Sequence, residues 1–418
     1  MQMSTIHNNK KRESIEFDVL FIGGGPASLS GALHLSNLIK RGKGERGKNG
    51  KNGLGEIRIG IIEKGAEIGS HALSGAIMDP CGLRELIPDF ESKGFPFEKI
   101  VTEEEIYLLT KNRGFRSPII PSPLKNHGNY IISLYKFVRW LGRLVEDSGV
   151  DIFPGFPGVE ILYDRDRIIG IRTGDKGVDK DGNPKGNFEP GIDIKAKVTV
   201  FGEGPRGTLT KQLINRFNLS DSKNPQIYST GVKEVWEMPE GRVGKGRVIH
   251  TIGYPLKNES FGGGFIYDMS NDLLAVGFVV GLDYKDPYLD PHRELQRFKR
   301  HPFVASLLEG GKLAYYGAKT IPDGGYFSMH RPSVAGGLII GDSGGFLNPQ
   351  RLKGIHLAIK SGILAGETIY EALLKDDFSE AQMGRFQTKI EKSWIREELY
   401  KTRNFRQGFR YGFYPGMI

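Results

Sequence analysis

Short apolar runs that end in glycine-rich turns stand out near both ends of the sequence. The first extends from Phe17 to Ile22 and ends directly in Gly23-Gly24-Gly25, after which apolar residues recur at helical spacing. Another run, from Ile57 to Glu63, follows a polar stretch. Short, mostly apolar runs of this length are typical of buried parallel strands, whereas apolar residues three and four apart indicate a helix. The pattern predicts a β-α-β unit with a long connection between its helix and its second strand.

Strand patterns dominate the middle of the chain, and helical patterns return near its end. The strands are predicted at 167–172, 192–201, 247–251, 263–267, 273–280 and 312–318, with a polar hairpin at 179–183. From Gly337 onward the pattern is a strand, a glycine-rich turn and a long helix at about 354–374, and a helix of mixed charge follows at about 381–403. This order favours an α/β fold that contains a second, β-rich domain of the α+β type.

The amino-acid composition excludes several kinds of site and segment. Cys81 is the single cysteine, which excludes a disulfide framework and any cysteine-ligated zinc or iron–sulfur site built from this sequence alone. No apolar stretch is long enough to span a bilayer, and the basic N-terminus lacks the apolar region of a secretory signal. The formal charge of +9 favours anionic lipid headgroups or acidic partners. The basic run at 40–51 is interpreted as a solvated flexible loop and not as a nucleic-acid site, because no aromatic residues interleave its charges.

The first glycine-rich turn has the spacing of a dinucleotide-binding fingerprint. Gly23 permits the tight turn after the strand, and Gly25 lets the backbone approach a pyrophosphate. Pro26 and Ala27 open the helix, whose N-terminal N–H groups would hold the anion. Ser28 stands where the pattern has Gly or Ala and is small enough for close helix–strand packing. A structural turn that binds no phosphate is the alternative for this segment taken alone.

Glu63 ends the second predicted strand and is the expected acceptor for the ribose hydroxyls of a dinucleotide. It lies 40 residues after Gly23, whereas the usual separation is about 20. The basic run between helix and strand accounts for the difference. Strand, turn, helix, strand and terminal glutamate together predict a dinucleotide-binding unit.

Two further glycine-rich turns favour FAD over NAD. Gly341-Asp342 follows an apolar strand, where a flavoprotein aspartate would meet the ribityl hydroxyls; a simple helix cap is the alternative. The helix that begins near Gly354-Ile355 would direct its positive end at the flavin pyrimidine ring. Gly202 and Gly204 follow another strand, as in the turn that closes over the adenine half of FAD. No second fingerprint is present, so we expect no resident NAD(P)H domain.

Longer stretches of sequence carry a family resemblance. They include IGSHALSGA at 68–76, NHGNYI at 126–131, VVGLDY at 279–284, DPYL at 286–289 and LEGGK at 308–312. With them, residues 16–418 resemble the electron-transfer-flavoprotein:ubiquinone oxidoreductases. The resemblance implies an FAD enzyme that is attached to one membrane face and passes electrons from reduced electron-transfer flavoprotein to ubiquinone.

The resemblance also implies roles for individual residues. Gly262 and Gly263 match the backbone pair that hydrogen-bonds the quinone, and residues 69–90 match a segment that dips into the bilayer surface. His71 and Ser74 are expected near the isoalloxazine, where hydrogen bonds would tune its potential. A neighbouring apolar set would line a channel for the quinone tail or meet lipid, with ordinary packing between domains as the alternative. This set is Leu83, Leu86, Ile87, Phe90, Phe95 and Phe97.

The fold class implied by this resemblance is a Rossmann-like FAD-binding domain of the glutathione-reductase and hydroxylase type, with an inserted β-rich quinone-binding domain. Residues 1–15 are expected to form a disordered tail. The predicted ranges are 16–90, 127–235 and 325–378 for the FAD-binding domain, 91–126 and 236–324 for the membrane-facing quinone domain, and 379–418 for a C-terminal helix and the start of a membrane-contacting segment.

The family carries a [4Fe-4S] cluster on four cysteines, which this sequence lacks. Two explanations are open: the chain is a fragment, or a separate ferredoxin-like subunit supplies the cluster. No metal ligands are expected here. The resemblance implies a monotopic protein on the inner membrane, on the matrix side in mitochondria or the cytoplasmic side in bacteria.

Two alternative functions are open at this point. One is an FAD oxidoreductase of the geranylgeranyl-reductase or hydroxylase type acting on an apolar substrate, which would take electrons from NAD(P)H. The other is a non-catalytic FAD-binding subunit that serves in docking or assembly. Neither alternative requires electron-transfer flavoprotein as an electron donor.

Overall fold

Four β-sheets organise the part of the chain that the computed structural model describes, namely residues 12–46, 54–72, 74–244, 246–412 and 416. The strands are β1 (Ser14–Ile22), β2 (Ile59–Glu63), β3 (Ser74–Met78), β4 (Phe97–Ile100), β5 (Glu103–Leu109), β6 (Gly114–Arg116), β7 (Tyr130–Ser133), β8 (Asp151–Pro154), β9 (Gly158–Asp164), β10 (Arg167–Thr173), β11 (Lys176–Val178), β12 (Pro184–Glu189), β13 (Asp193–Phe201), β14 (Tyr228–Glu237), β15 (Arg247–Gly253), β16 (Gly262–Asp268), β17 (Leu273–Gly281), β18 (Lys312–Pro322), β19 (Ser333–Val334) and β20 (Gly337–Ile339).

Eleven helices accompany these strands within the described residues. They are α1 (Pro26–Arg46), α2 (Cys81–Leu86), α3 (Leu134–Asp147), α4 (Thr208–Arg216), α5 (Pro291–Lys299), α6 (Pro302–Leu308), α7 (Ile355–Lys375), α8 (Glu380–Met383), α9 (Arg385–Glu391), α10 (Trp394–Lys401) and α11 (Phe405–Gly408). In that part of the chain, none is long and apolar enough to cross a membrane.

The first sheet has a parallel centre in the order β20-β13-β1-β2-β8. Its central strand β1 is buried on both faces, with Val19, Leu20 and Phe21 fully enclosed. Helices α1, α3 and α7 cover one face, and α4 and the antiparallel strands β9 and β10 cover the other. Parallel strands end at the same edge, so the turns after β1, β2, β13 and β20 are brought together.

The second sheet is mainly antiparallel, in the order β18-β14-β17-β16-β15-β5-β6. One face packs against α5 and α6 through residues such as Phe278 and Phe298. The other face carries Val235, Val248 and Tyr267 and turns toward the small sheet β3-β7-β4. Side chains alternate between the two faces of a sheet, so every other residue of β14 to β17 points to this second face.

The structure confirms most of the predicted elements and changes four details. Ser14 and Ile15, placed in the disordered tail, pair with β13, and residues 1–11 lie outside the described part. Residues 40–46 of the predicted basic loop continue α1, while 47–51 lie outside the described part. The predicted helix at 381–403 is broken into α8, α9 and α10. The proposed domain boundary at 235/236 falls inside β14, which belongs wholly to the second sheet.

The expectation of a lipid-facing apolar segment near residue 90 is wrong for most of its residues. Leu83, Leu86, Ile87, Phe90 and Phe95 are between 0% and 7% exposed and belong to the core below α3 and α7. Phe95 packs edge-on against aromatic side chains from β7 and α3. Phe97 is the exception, at 46% exposure. The five buried side chains therefore pack inside the core and do not meet lipid.

Helices α1 and α7 cross at a point where only glycine fits. A Cβ atom on Gly362 would lie 2.2 Å from the carbonyl oxygen of Ala27 and 2.8 Å from the amide nitrogen of Gly31. Both neighbours are backbone atoms of α1, so neither can move without shifting the helix. This contact holds the first turn of α1 beside α7, and with it the turn that precedes α1.

We expect Gly362→Ala to lower the free energy of unfolding by about 2 kcal/mol. The same exchange in an unhindered helix interior raises helix stability by about 1 kcal/mol, so the sign of the change is diagnostic. Chemical denaturation measures it. Gly142→Ala in α3 is the matched control, because its new Cβ would meet only the Ile68 side chain, at 3.3 Å. Equal stabilisation of both variants would contradict the tight crossing.

Candidate dinucleotide site

A cavity of about 640 Å³ opens where the strand ends of the first sheet face the second sheet. It is lined by nearly all of the residues that the sequence predicted for a cofactor, which the parallel strands bring together. These are Gly23, Gly25, Pro26, Ala27, Glu63, Gly202, Gly204, Gly341, Asp342, Gly354 and Ile355. Ser28 is the exception: it is fully buried behind the first turn.

The turn after β1 presents bare backbone to the cavity. Gly23 has φ +94°, and a Cβ there would lie 2.6 Å from the carbonyl oxygen of Gly202. At Gly25, by contrast, a Cβ would meet nothing within 4 Å. The open space at Gly25 lies next to the N-terminus of α1, where exposed N–H groups favour an anion such as a pyrophosphate.

Glu63 is fixed at one end of the cavity by two backbone hydrogen bonds. Its Oε2 atom accepts from the Gly24 amide at 2.8 Å, and its Oε1 atom accepts from the Gly65 amide at 2.7 Å. These bonds orient a carboxylate whose remaining lone pairs face the cavity. Such a carboxylate is suited to accept the two hydroxyls of a ribose.

The three glycine-rich turns are also bonded to one another. A Cβ on Gly202 would come 2.3 Å from the Ser28 hydroxyl oxygen, so the β13 turn lies directly on α1. The Ser343 hydroxyl donates to the Gly204 carbonyl at 2.9 Å. The Gly341 amide donates to the Ser361 hydroxyl oxygen of α7 at 2.9 Å. The turns therefore form one rigid rim around the cavity.

Asp342 is a carboxyl group without a protein partner on this rim. Among the described residues, no backbone or side-chain group donates a hydrogen bond to its carboxylate. Burial raises the pKa of Asp342 to about 6, and the positive charge of Lys319 opposes that rise. A half-buried acceptor without a protein donor is expected where a ligand supplies the donors. Bare backbone at Gly25, a held carboxylate at Glu63 and this acceptor all fit a flavin dinucleotide.

Four further residues predicted from the sequence, His71, Ser74, Gly262 and Gly263, lie in different parts of the structure. His71 lies beside Glu63, with 3.4 Å between its Nδ1 atom and Oε1. Its expected place near the isoalloxazine stays a prediction. Ser74 begins β3, and its side chain lies outside the described part. Gly262 and Gly263 lie in β16 and are half-buried. Gly263 is in register with Val279, which lines the cavity.

Sequence patterns missed a set of polar residues on the opposite wall. Lys233, His250 and Tyr267 come from three strands of the second sheet, and Lys353 comes from the loop before α7. Burial lowers the pKa of His250 to about 4, with a smaller contribution from the charge of Lys353, whose own pKa is lowered by burial to about 8. No local pattern marks Lys233, His250 and Tyr267 as neighbours, because strand register alone brings these three together.

A metal site does not form on the described residues: none of their His, Cys, Asp and Glu side chains gather in groups of three or more that could hold an ion. The polar groups that line the cavity include backbone amides, carboxylates and lysines, which are suited to bind hydroxyls and to exchange protons.

Comparison with known proteins identifies the family that this chain is similar to. Residues 228–321 match the family model described as ETF-QO, ubiquinone-binding. The mitochondrial electron transfer flavoprotein-ubiquinone oxidoreductase of Arabidopsis thaliana is 43% identical over 99% of this chain and 63% of its own length. The corresponding protein of Dictyostelium discoideum is 42% identical over 97% of this chain and 67% of its own length. The chain thus spans about two thirds of these relatives.

A solved structure shows the same fold at lower sequence similarity. The geranylgeranyl bacteriochlorophyll reductase-like protein of Thermoplasma acidophilum superposes with a TM-score of 0.69 and 17% identity, over 97% of this chain and 89% of that protein. The shared architecture confirms the predicted fold class. Taken with the sequence identity to the relatives above, the chain belongs to the electron transfer flavoprotein-ubiquinone oxidoreductase family.

Proposed function

We propose that this chain binds FAD in the cavity and uses it to pass electrons from reduced electron-transfer flavoprotein to ubiquinone. One observation carries the proposal. The rim that fits a flavin dinucleotide faces a wall built from Gly231, Lys233, Phe265 and Val279, which belong to the stretch matching the ubiquinone-binding family model. Cofactor and acceptor would therefore share one enclosed space.

The rim residues divide the cofactor between them in this proposal. Gly25 and the α1 N-terminus hold the pyrophosphate, Glu63 accepts the ribose hydroxyls and Asp342 accepts ribityl hydroxyls. The N-terminus of α7, at Gly354-Ile355, supplies partial positive charge toward the ring. FAD, when bound, supplies the two-electron chemistry. The protein's contribution is to orient it and to exclude bulk water.

The acceptor would lie against the second sheet. Lys319, Gly231, Val279 and Gly263 follow one another across β18, β14, β17 and β16. The first three line the cavity. Gly263, assigned to the quinone by resemblance, continues this row, so a ring bound against Gly262-Gly263 would lie next to the flavin end of the cavity.

Electron transfer from electron-transfer flavoprotein would require an iron–sulfur cluster that the residues of this sequence do not bind. The [4Fe-4S] cluster implied by the resemblance would have ligands outside this sequence, in which Cys81 is the one cysteine. A ferredoxin-like partner, or further sequence joined to this chain, would fill that role. Electron-transfer flavoprotein itself would dock at a surface that the chain shares with that component.

A membrane-facing surface is offered by the β5–β6 hairpin rather than by residues 69–90. Leu108 and Phe115 are paired across the hairpin and Ile119 follows it, with exposures of 36%, 52% and 72%. Exposed Arg113 and Lys111 lie at the hairpin turn. Apolar side chains next to basic ones suit the boundary between headgroups and acyl chains of an anionic membrane.

Replacing both Phe115 and Ile119 by Ser should weaken binding to vesicles containing anionic lipid by at least about tenfold, because buried apolar side chains contribute about 1.5–3 kcal/mol each. Cosedimentation with vesicles measures the change. A double Tyr315→Ser, Tyr316→Ser variant on the exposed strand β18 is the control and should bind as the parent does. Equal weakening by the two double variants would argue against a specific hairpin contact.

Asp342 predicts how FAD affinity depends on pH. Ribityl hydroxyls donate to a carboxylate better than to a carboxylic acid, so FAD binds the ionised form more tightly. Since the pKa of Asp342 is about 6, affinity should fall as the pH drops from 7 to 5. Fluorescence titration of flavin-free protein measures it.

Two variants isolate the carboxyl group responsible for this pH dependence. Asp342→Asn should remove the dependence between pH 5 and 7. Asp323→Asn should retain it, although burial also raises the pKa of Asp323 to about 6 in the same cavity. If only the Asp323 variant loses the pH dependence of FAD affinity, Asp323 and not Asp342 is the group responsible.

The function itself is tested anaerobically. The FAD-loaded chain is mixed with enzymatically reduced electron-transfer flavoprotein and a short-chain ubiquinone, with and without a partner ferredoxin, and quinol formation is followed. We expect quinol to form and to depend on the ferredoxin. Reduction of the flavin by NADPH, while the electron-transfer flavoprotein stays reduced, would instead indicate a reductase like the one whose fold this chain shares. No turnover with either donor would indicate a docking subunit.

A further inference from the structure

The wall of the cavity opposite the glycine-rich turns contains one lysine in unusual surroundings. Lys233 lies on β14 in register with Gly277 of β17 and Gly317 of β18, so neither neighbouring strand places a side chain beside it. The space over Gly277 is taken by Phe265, whose Cζ atom would lie 2.1 Å from a Cβ there. Lys233 therefore projects between an aromatic ring and the cavity.

The ammonium group of Lys233 has a single strong protein contact. Its Nζ atom donates to the Gly75 carbonyl at 2.8 Å, and the Phe265 ring centroid lies 5.8 Å away. An ammonium carries three donors, and no acidic side chain of the described residues pairs with this one. Burial alone lowers the pKa of Lys233 to about 7. At neutral pH such a group both holds and releases a proton.

Other ionisable groups approach Lys233 from the elements around it. His250 lies on the same cross-strand row beyond Phe265, and its Nε2 atom is 3.4 Å from the Tyr267 hydroxyl. Lys319 on β18 and Lys353 before α7 also line the cavity, and the carboxyl groups of Asp323, Asp342 and Glu63 line its other parts. None of these groups contributes to the shifted pKa of Lys233, which burial alone lowers.

Lys233 is also adjacent to the expected acceptor position. Gly231, two residues before it on β14, belongs to the row that ends at Gly263. Neighbouring same-face positions on a strand are about 7 Å apart. Gly263 lies two strands away from β14, which adds about 10 Å across the sheet. The side chain of Lys233 would therefore approach a ring held by Gly262-Gly263 from the β14 side.

We propose that Lys233 donates one of the two protons that the electron acceptor takes up when it is reduced in this cavity. The inference rests on the proposed function, in which reduced FAD supplies both electrons. A Nζ–H bond breaks, and an O–H bond forms on one carbonyl oxygen of the quinone. The neutral amine is reprotonated from water that enters the cavity, and the second oxygen takes its proton from solvent.

The test follows one half-reaction, so that it does not depend on electron-transfer flavoprotein or on a ferredoxin. The FAD-loaded chain is reduced chemically without oxygen and mixed with a short-chain ubiquinone, and flavin absorbance reports reoxidation. With the parent chain, the rate should fall as the pH rises above about 7. Lys233→Met should lose this pH dependence and react about 100-fold more slowly at pH 6.5, with the quinone concentration at half-maximal rate changed by less than about twofold.

Two variants separate proton donation from a structural role. Lys233→Arg keeps the positive charge and a donor for Gly75, but a guanidinium does not release its proton in this pH range. It should stay as slow as Lys233→Met. Lys233→Ala should regain rate when methylammonium is added, because the small amine can enter the space vacated by the side chain. Lys185→Met, on the exposed strand β12, is the control and should behave as the parent chain.

A measurement independent of activity completes the test. In protein labelled with ¹³C at lysine Cε, one resonance should titrate near pH 7 and disappear in Lys233→Met. A Lys233 that stays charged up to pH 9, or an arginine variant that restores the rate, would overturn the proposal. If the parent chain itself is not reoxidised by ubiquinone, the proposed function fails first. If parent and Lys233→Met are reoxidised equally fast, only the role of Lys233 is rejected.

Discussion

The structure depends on close backbone approach at a few glycines. Gly362 of α7 lies against Ala27 and Gly31 of α1, and Gly23 lies against Gly202. At each contact a single methyl group would overlap backbone atoms of the neighbouring segment. These contacts bring the N-termini of α1 and α7 to the same edge of the parallel sheet. Two helix ends with partial positive charge then face one cavity, which is the electrostatic requirement for holding a pyrophosphate and a reduced ring.

A half-buried charge network fixes the loop before α7 to the rest of the protein. Arg351 donates to Asp79 at 2.6 Å and to Glu398 at 2.9 Å, and the Nε2 atom of His356 lies 3.0 Å from Glu398. Although burial opposes it, hydrogen bonds from Arg351 and the Cys81 amide lower the pKa of Asp79 to about 2. The network joins α2, α7 and α10. It explains why the short C-terminal helices pack near the cofactor end of the molecule even though they line no part of the cavity.

The cavity separates two kinds of chemistry. Its rim is built from backbone donors and from carboxylates such as Glu63 and Asp342, which suit hydroxyls and a diphosphate. Its opposite wall carries Lys233, His250 and Lys353, whose pKa values are lowered because burial disfavours their charged forms. Lys233 and Lys353, whose pKa values fall to about 7 and about 8, exchange protons near neutral pH. The division follows largely from the two sheets, since the turns of the first supply the rim and the strands of the second supply Lys233 and His250.

The sequence by itself determined the parallel sheet, the three glycine-rich turns and the residues of the rim, because short-range patterns encode them. Strand, turn and helix follow one another within a few residues, and the chemistry of a turn is local. Only the tertiary structure decided that Phe90 and Phe95 are core residues, that His71 stands beside Glu63, and that α1 extends into the basic run. It alone placed Lys233 on the cavity, because cross-strand register over β14, β17 and β16 joins residues far apart in the chain, and no local pattern records that register.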